Sequence, residues 1–168
     1  MRAAHVVVMG VSGCGKSTVG ELLARKIHGE FVDADALHPS ANRRKMEAGI
    51  ALDDVDRVPW LRAVGQKLSE ARATPLIVAC SALKRSYRNI LTAADPTVRF
   101  ILLHGSEELL AQRLHRRVGH FMPSILLRSQ LETLEPLAFD ECGVTLDIAE
   151  SPDELARKAA AWLREARC

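Results

Sequence analysis

The sequence lacks an excess of charge of either sign. Its 168 residues include 23 Lys and Arg and 21 Asp and Glu, which gives a formal net charge of +2. Proteins that bind nucleic acid usually carry a concentrated basic excess, so this balance predicts no nucleic-acid partner. It still allows local clusters of basic side chains that hold a small anion.

Long apolar runs and a targeting segment are also missing. No run reaches the roughly 18 apolar residues that a membrane span needs. The N-terminus passes from Met1 to His5 directly into a short apolar segment and a Gly-rich turn, without a signal-peptide pattern. We therefore predict a cytoplasmic protein that does not cross a membrane.

Cysteine is sparse and shows no metal-binding pattern. The four cysteines, Cys14, Cys80, Cys142 and Cys168, form no C-x-x-C pair, and no histidine stands beside them at ligand spacing. In a reducing cytosol such cysteines are expected to be free thiols.

The apolar pattern alternates between strands and helices along a single domain, residues 1–168. Five short β-rich segments are predicted as strands, at 6–9, 30–33, 76–80, 98–103 and 144–148. Helical spacing predicts helices over 16–28 and around 60–68, and others beginning after the capping residues Ser106 and Ser151. Gly29 is predicted to end the first of these helices. This alternation favours an α/β fold with a five-stranded parallel sheet and helices on both faces.

A glycine-rich segment follows the first strand and opens the first helix. Residues 10–17, Gly-Val-Ser-Gly-Cys-Gly-Lys-Ser, fit the phosphate-loop pattern G-x-x-x-x-G-K-S/T. In such a loop the backbone N–H groups and the helix N-terminus hold phosphates, the lysine reaches the β- and γ-phosphates, and the serine binds Mg²⁺. The predicted nucleotide contacts are Gly10, Val11, Ser12, Gly13, Cys14, Gly15, Lys16, Ser17 and Thr18.

Two motifs that are missing from the sequence limit the class of nucleotide-binding protein to which this loop can belong. No Asn-Lys-x-Asp segment follows a later strand, as a guanine-reading switch GTPase would require. The strand around Val78 continues into Cys80 and Ser81 and does not end in an aspartate. We therefore predict a phosphotransferase whose magnesium carboxylate lies elsewhere in the chain.

The best carboxylates for that role are Asp33 and Asp35, predicted at the end of the second strand. Residues two apart on an extended chain face the same way, so both would point to the cleft beyond the strand ends, beside the phosphate loop on the neighbouring strand. One carboxylate can hold the metal and the other can accept the proton of the attacking hydroxyl. We assign Asp33, with Ser17, mainly to the metal and Asp35 to the hydroxyl, while these roles could be reversed.

From the first strand to about Asp147, the chain resembles a known family, the bacterial gluconokinases. Beyond the phosphate loop, the resemblance lies in segments that follow one another up to about Asp147. Asp-Arg-x-Pro-Trp-Leu and Cys-Ser-Ala-Leu-Lys are the most specific. The segments are 33–39, 42–49, 52–61, 80–88, 119–122 and 130–135.

The resemblance implies a P-loop kinase of the nucleoside-monophosphate-kinase-like group. The implied reaction converts ATP and D-gluconate to 6-phospho-D-gluconate and ADP, with Mg²⁺, often in a homodimer. Two alternatives stay open: a related kinase that acts on another small acceptor, such as shikimate or a nucleotide, and a nucleotide-binding regulator without turnover.

An acceptor such as gluconate carries one carboxylate and a row of hydroxyls, and so needs cationic donors and polar groups. Arg57 is the strongest candidate because it stands beside Pro59 and Trp60, which anchor its helix. The predicted acceptor contacts are Asp35, His38, Lys45, Arg57, Lys84 and Arg88.

A lid is predicted over approximately residues 113–135. Arg113, Arg116 and Arg117 are spaced three or four apart and would share one helix face, with Gly119 and His120 ending the helix. We predict that Arg113 and Arg116 contact the nucleotide. Arg117 would neutralise charge on the transferring phosphoryl group and is grouped with Lys16, Asp33 and Asp35 as catalytic.

Overall fold

A computed structural model describes residues 4–71, 73–116 and 124–168. Five parallel strands form one sheet in the order β2-β3-β1-β4-β5. This confirms the predicted fold, and the predicted strand ends differ from the observed ones by one residue at most. The strands are β1 (Val6–Met9), β2 (Glu30–Asp33), β3 (Leu76–Ala79), β4 (Arg99–His104) and β5 (Gly143–Asp147).

Helices cover both faces of the sheet. Along β1, Val6 and Val8 belong to one buried apolar cluster, and Val7 and Met9 belong to the other, as alternation along a strand requires. The helices are α1 (Lys16–Ile27), α2 (Ser40–Glu47), α3 (Asp54–Glu70), α4 (Arg85–Ala94), α5 (Glu107–Arg116), α6 (Ser124–Thr133) and α7 (Pro152–Glu165). A 3₁₀ turn (Ala34–Leu37) follows β2.

The sheet order corrects one expectation about the site. β3 lies between β1 and β2, so the strand that precedes the phosphate loop is not the neighbour of the strand that carries Asp33. Asp33 pairs in register with Ala79 of β3, whose other edge pairs with β1. The carboxyl ends of the three strands nevertheless meet at one edge of the sheet.

Helix ends follow the predicted caps in part. Ser106 Oγ accepts a hydrogen bond from Leu109 N, and Ser151 Oγ accepts one from Glu154 N. The residue with left-handed backbone after α1 is His28 (φ 55°), so Gly29 does not serve as the predicted cap. Gly29 is needed for space, because a Cβ there would lie 2.6 Å from the Pro75 carbonyl oxygen.

The expectation of free thiols is wrong for two of the four cysteines. Cys142 and Cys168 form a disulfide with a Cα–Cα distance of 5.6 Å, whereas Cys14 and Cys80 are buried and free. The chain after α7 lies beside the start of β4, where Arg99 donates to the carbonyl oxygens of Leu163 and Ala166. This brings the C-terminus to Cys142, which immediately precedes β5. Within the described ranges, no helix is both long and apolar enough to traverse a bilayer.

Candidate active site

The phosphate loop connects the end of β1 to the first turn of α1. Its three glycines all have positive φ, 141° at Gly10, 82° at Gly13 and 95° at Gly15. A Cβ at Gly10 would lie 2.6 Å from the carbonyl oxygen of Leu103 on β4, so only glycine allows this close passage. The loop therefore wraps tightly around the N-terminal end of α1, where the helix dipole favours a bound anion.

Lys16 lies over this loop. Its Nζ donates to the carbonyl oxygens of Gly10 and Val11, each at 3.0 Å. The ammonium group thus lies at the edge of the loop. It can exchange these carbonyl oxygens for phosphate oxygens as hydrogen-bond acceptors without a change in the fold.

Ser17 joins the loop to the end of β2. Its Oγ donates to Asp33 Oδ2 at 3.1 Å, and Asp33 Oδ1 accepts from Asp35 N at 3.0 Å. Asp33 therefore caps the 3₁₀ turn, and Asp35 lies within that turn. The alternation argument does not apply to this pair, because the chain is no longer extended at Asp35.

The pairing of Ser17 with Asp33 suits a magnesium ion that is bound together with a nucleotide. Mg²⁺ in such sites takes one or two protein ligands and completes its shell with phosphate oxygens and water. The part of the chain that the structure describes contains no group of three or more His, Cys, Asp or Glu side chains arranged for a metal. A nucleotide-bound ion would fit Ser17 and Asp33, because the phosphates supply its further ligands.

A second group of side chains surrounds His38, behind the 3₁₀ turn. The His38 ring stacks on Trp60 with centroids 4.2 Å apart, and Trp60 Nε1 donates to Ala34 O. Asn42 Nδ2 donates to Asp56 O at 2.9 Å and lies 3.3 Å from His38 Nδ1. Because the same NH₂ group serves both contacts, Nδ1 is the acceptor and the proton of neutral His38 is on Nε2.

Burial lowers the pKa of His38, and the nearby Arg57 and Arg43 lower it further, against the opposing effect of Asp35. The imidazole is therefore neutral at pH 7. A neutral ring with its proton on Nε2 is a hydrogen-bond donor for a hydroxyl oxygen.

The two predicted lysines are each paired with a carboxylate of α3. Lys45 Nζ lies 2.8 Å from both Asp56 oxygens, and this hydrogen bond raises the lysine pKa. Lys84 Nζ lies 2.9 Å from Asp54, which also accepts from the Tyr87 hydroxyl. Both ammonium groups are fixed in place and remain charged.

Arg57 differs from these lysines. Its guanidinium carbon lies 5.6 Å from the centre of the Tyr87 ring, and Lys84 Nζ lies 5.5 Å from the same ring. Arg57 makes no hydrogen bond or salt bridge with any residue in the described ranges. Its planar donors are therefore available for a ligand carboxylate.

Comparison with known proteins assigns the family. A family model described as shikimate kinase matches residues 12–161. The thermosensitive gluconokinase of Escherichia coli is 41% identical over 99% of this chain and 92% of that protein. The crystal structure of a gluconokinase from Sinorhizobium meliloti superposes with a TM-score of 0.89 at 50% identity, covering 98% of this chain and 94% of that one. This chain belongs to the gluconokinase family.

Membership of this family makes the chain an ATP-dependent kinase that acts on a hydroxyl acceptor, with the P-loop kinase fold. A shikimate kinase from Acinetobacter baumannii shares this fold, with a TM-score of 0.62, but only 20% of the sequence. The much higher identity to gluconokinases therefore separates the family from its structural neighbours.

In this gluconokinase-family chain, Arg88 is a buried structural residue. Its guanidinium pairs with Glu141, and its remaining N–H groups donate to the backbone carbonyl oxygens of residues 82, 83, 135 and 136. With only 1% of its side chain exposed, Arg88 has no donor left for a substrate. This geometry favours a role in holding the loops, in place of the predicted acceptor contact.

The predicted nucleotide-binding arginines fall partly within the described residues. Arg113 donates to the carbonyl oxygen of Ile148, just after β5, and Arg116 is exposed on the same helix. Arg117, Gly119 and His120 lie outside the described residues, and so does the middle of the predicted lid.

The sequence reasoning missed three side chains that organise the site. Asn42 orients His38, Asp54 pairs with Lys84 and Tyr87, and Gln130 Oε1 accepts from Ser12 N in the phosphate loop at 2.7 Å. All three belong to segments that carry the family resemblance, but their partners are far away in the sequence, apart from His38.

Cys80 lies at the centre of this edge of the sheet, directly after β3. Burial raises the pKa of its thiol to about 12; the Ala82 backbone and the positive charge of Lys16 oppose this rise, while Asp35 and Asp33 add to it. The thiol is therefore neutral and unsuited to act as a nucleophile. Cys80 follows β3, which lies between β1 and β2; the phosphate loop begins after β1, and the turn with Asp35 begins after β2.

Proposed function

We propose that this protein transfers the γ-phosphoryl group of ATP to a hydroxyl of D-gluconate and forms 6-phospho-D-gluconate and ADP. The observation that carries the proposal is the hydrogen bond between Ser17 and Asp33. It joins the phosphate loop to the turn that holds Asp35, which supports a role for Asp35 as the proton acceptor next to a bound nucleotide.

In the proposed reaction, Asp35 accepts the proton of the attacking hydroxyl. The hydroxyl oxygen forms a bond to the γ-phosphorus while the bond from that phosphorus to the bridging oxygen breaks, and the electron pair leaves on ADP. Lys16 would stay paired with the negative charge of the transferring phosphoryl group. Ser17 and Asp33 would hold Mg²⁺, which neutralises charge on the β- and γ-phosphates when bound. Positioning and charge neutralisation would supply most of the rate.

The acceptor would lie between α2, α3 and the start of α4. Arg57 would bind the gluconate carboxylate with two parallel hydrogen bonds, since its guanidinium makes no hydrogen bond or salt bridge to any of the described residues. His38 Nε2–H and the paired Lys45 and Lys84 would donate to the hydroxyl row. Polar groups matched to several hydroxyls would disfavour acceptors that leave those groups without partners.

The assembly and location belong to the same proposal. We expect a homodimer, checked by sedimentation of the purified chain, with no nucleic-acid partner. We also expect the enzyme in the cytoplasm, where ATP and Mg²⁺ are supplied.

The deciding experiment is an assay of ADP release with a panel of acceptors: D-gluconate, shikimate and nucleoside monophosphates. Gluconate should give the highest kcat/KM. The Lys16→Ala variant should stay folded and lose most turnover, because Lys16 serves the ligand and contributes nothing to the core. Faster turnover with another acceptor would reject gluconate as the substrate, and ATP binding without turnover on any acceptor would favour a regulator.

A further inference from the structure

A side chain of α6 contacts the phosphate loop, although the two segments are far apart in the sequence. Gln130 Oε1 accepts a hydrogen bond from Ser12 N at 2.7 Å, although the two residues are 118 positions apart. A backbone N–H can only donate, so the amide of Gln130 must present its oxygen to Ser12.

This contact is backed by apolar packing on the same helix. Leu127, three residues before Gln130 and so on the same face, is buried with 1% exposure. It belongs to the core cluster that also contains Val11 and Cys14 of the phosphate loop. The position of Gln130 is therefore set by the core.

The helix α5 also contacts this loop. A Cβ at Gly13 would lie 2.8 Å from Leu114 Cγ, so the α5 side chain packs directly against the glycine backbone. The phosphate loop is thus supported on its outer side by two helices, through an apolar contact at Gly13 and a hydrogen bond at Ser12.

We propose that Gln130 is a positioning residue for nucleotide binding. Its amide oxygen holds the Ser12 N–H and keeps the phosphate loop in its binding conformation before ATP arrives. Without this acceptor, ATP would have to order the loop as it binds, and part of the binding free energy would be spent on that step. The inference rests on the proposed function only through its use of ATP.

The test replaces Gln130 by Met, which has a similar length and no comparable acceptor. In the ligand-free protein, hydrogen exchange of the Ser12 amide, followed by NMR, should accelerate about tenfold, the equivalent of one lost hydrogen bond. The Kd of a non-hydrolysable ATP analogue, measured by calorimetry, should rise by a similar factor. KM for gluconate and the melting temperature should stay close to wild type.

Two further variants keep the result decisive. Glu132→Gln changes an exposed residue of the same helix and should leave Ser12 exchange and analogue binding unchanged. Gln130→Glu keeps an acceptor on the same stem and should retain the Ser12 protection. Unchanged Ser12 exchange in Gln130→Met, loss of protection in Gln130→Glu, or analogue binding that is unchanged or tighter in Gln130→Met would each overturn the proposal. Analogue binding needs no gluconate, so a wrong acceptor assignment would not affect this result.

Discussion

Asp33 and Asp35 show how two carboxylates close in sequence acquire different surroundings. Asp33 is half-buried and accepts hydrogen bonds from Ser17 and from the backbone of the turn, whereas Asp35 is exposed on that turn. The first environment suits a metal ligand next to the phosphate loop. The second suits a proton acceptor that faces an incoming substrate.

Replacing each aspartate by Asn should separate these roles. Asp35→Asn should lower kcat by about 10²-fold or more, because the amide is a poor proton acceptor, while ATP·Mg²⁺ affinity is retained. Asp33→Asn keeps an oxygen for the Asp35 N–H and should raise the Mg²⁺ concentration needed for half-maximal rate. Calorimetric titrations of ATP·Mg²⁺ and magnesium-dependent rates would measure both effects. If Asp35→Asn keeps a near-normal kcat at saturating gluconate, Asp33 becomes the candidate base.

His38 should make stability depend on pH. Its pKa is lowered in the folded protein, so the unfolded chain takes up the proton first as the pH falls. The contribution of neutral His38 to stability is therefore complete above the ordinary histidine pKa near 6.5 and is lost as the pH falls from there toward the lowered value. Urea unfolding at pH 7.5 and at lower pH should show a smaller acid loss for His38→Gln than for wild type. The exposed His104→Gln serves as the control and should follow wild type; equal acid loss in His38→Gln would contradict the assignment.

At the residue scale, the phosphate loop was predictable because all of its groups are contiguous. The partners of the basic residues were not. Lys45 pairs with Asp56 across 11 positions, Lys84 with Asp54 across 30 and Arg88 with Glu141 across 53. Sequence spacing alone therefore could not distinguish Arg57, whose guanidinium makes no hydrogen bond or salt bridge to the described residues, from the buried and fully bonded Arg88.

At the element scale, α4 and the loop before β5 are joined through Arg88. Besides the Arg88–Glu141 pair, Glu135 accepts from Arg85 N at the start of α4, and Glu135 N donates to Leu83 O. These contacts fix the start of α4, which Lys84 directly precedes. The buried ion pair therefore stabilises the position of the backbone next to Lys84.

Removing Arg88 should destabilise the protein strongly. Arg88→Ala leaves the buried Glu141 with only a longer ion-pair contact, to Arg85 at 3.8 Å. It also removes the Arg88 donors from four carbonyl oxygens, of which Leu83 O keeps a backbone N–H donor. The expected cost is about 3–5 kcal/mol in the free energy of unfolding. The neighbouring Arg85→Ala breaks an exposed pair with Asp140 and a longer contact of 3.8 Å to Glu141, which keeps its bidentate pair with Arg88, so it should lower the urea midpoint much less. A midpoint for Arg88→Ala as high as that of Arg85→Ala would contradict the structural role.

Some helix caps could be predicted from local sequence, and others could not. The caps at Ser106 and Ser151 were predictable because a cap acts within one turn. By contrast, Glu154 pairs with Arg157 and does not reach back to its cap, and the reciprocal capping box occurs at α3 between Asp53 and Asp56. Local patterns thus indicated α1, α3, α5 and α7, whereas α2, α4 and α6 were not predicted, although α4 and α6 are as long as α5.

At the scale of the whole molecule, the parallel direction of all five strands places the phosphate loop and the disulfide at opposite ends of the sheet. The phosphate loop, Asp33 and Cys80 follow the carboxyl ends of β1, β2 and β3. The disulfide lies at the opposite edge, because Cys142 immediately precedes the amino end of β5. Neither the order of the strands nor this disulfide could be predicted from local spacing, since both depend on which distant segments meet.

The disulfide should therefore affect stability and leave catalysis nearly unchanged. It closes a loop across a sequence separation of 26 residues, which in the chain-entropy model corresponds to about 3.5 kcal/mol in the free energy of unfolding. Reducing the oxidised protein with a dithiol should lower its urea midpoint accordingly. The values of kcat and KM under native conditions should stay within about twofold, because the disulfide that ties down the C-terminus and the phosphate loop lie at opposite ends of the sheet. Cys142→Ser should behave like the reduced protein and show no further response to reductant. A change in kcat without a change in the midpoint would mean that the C-terminal tether acts on the active site across the sheet, and would contradict this separation of the two edges.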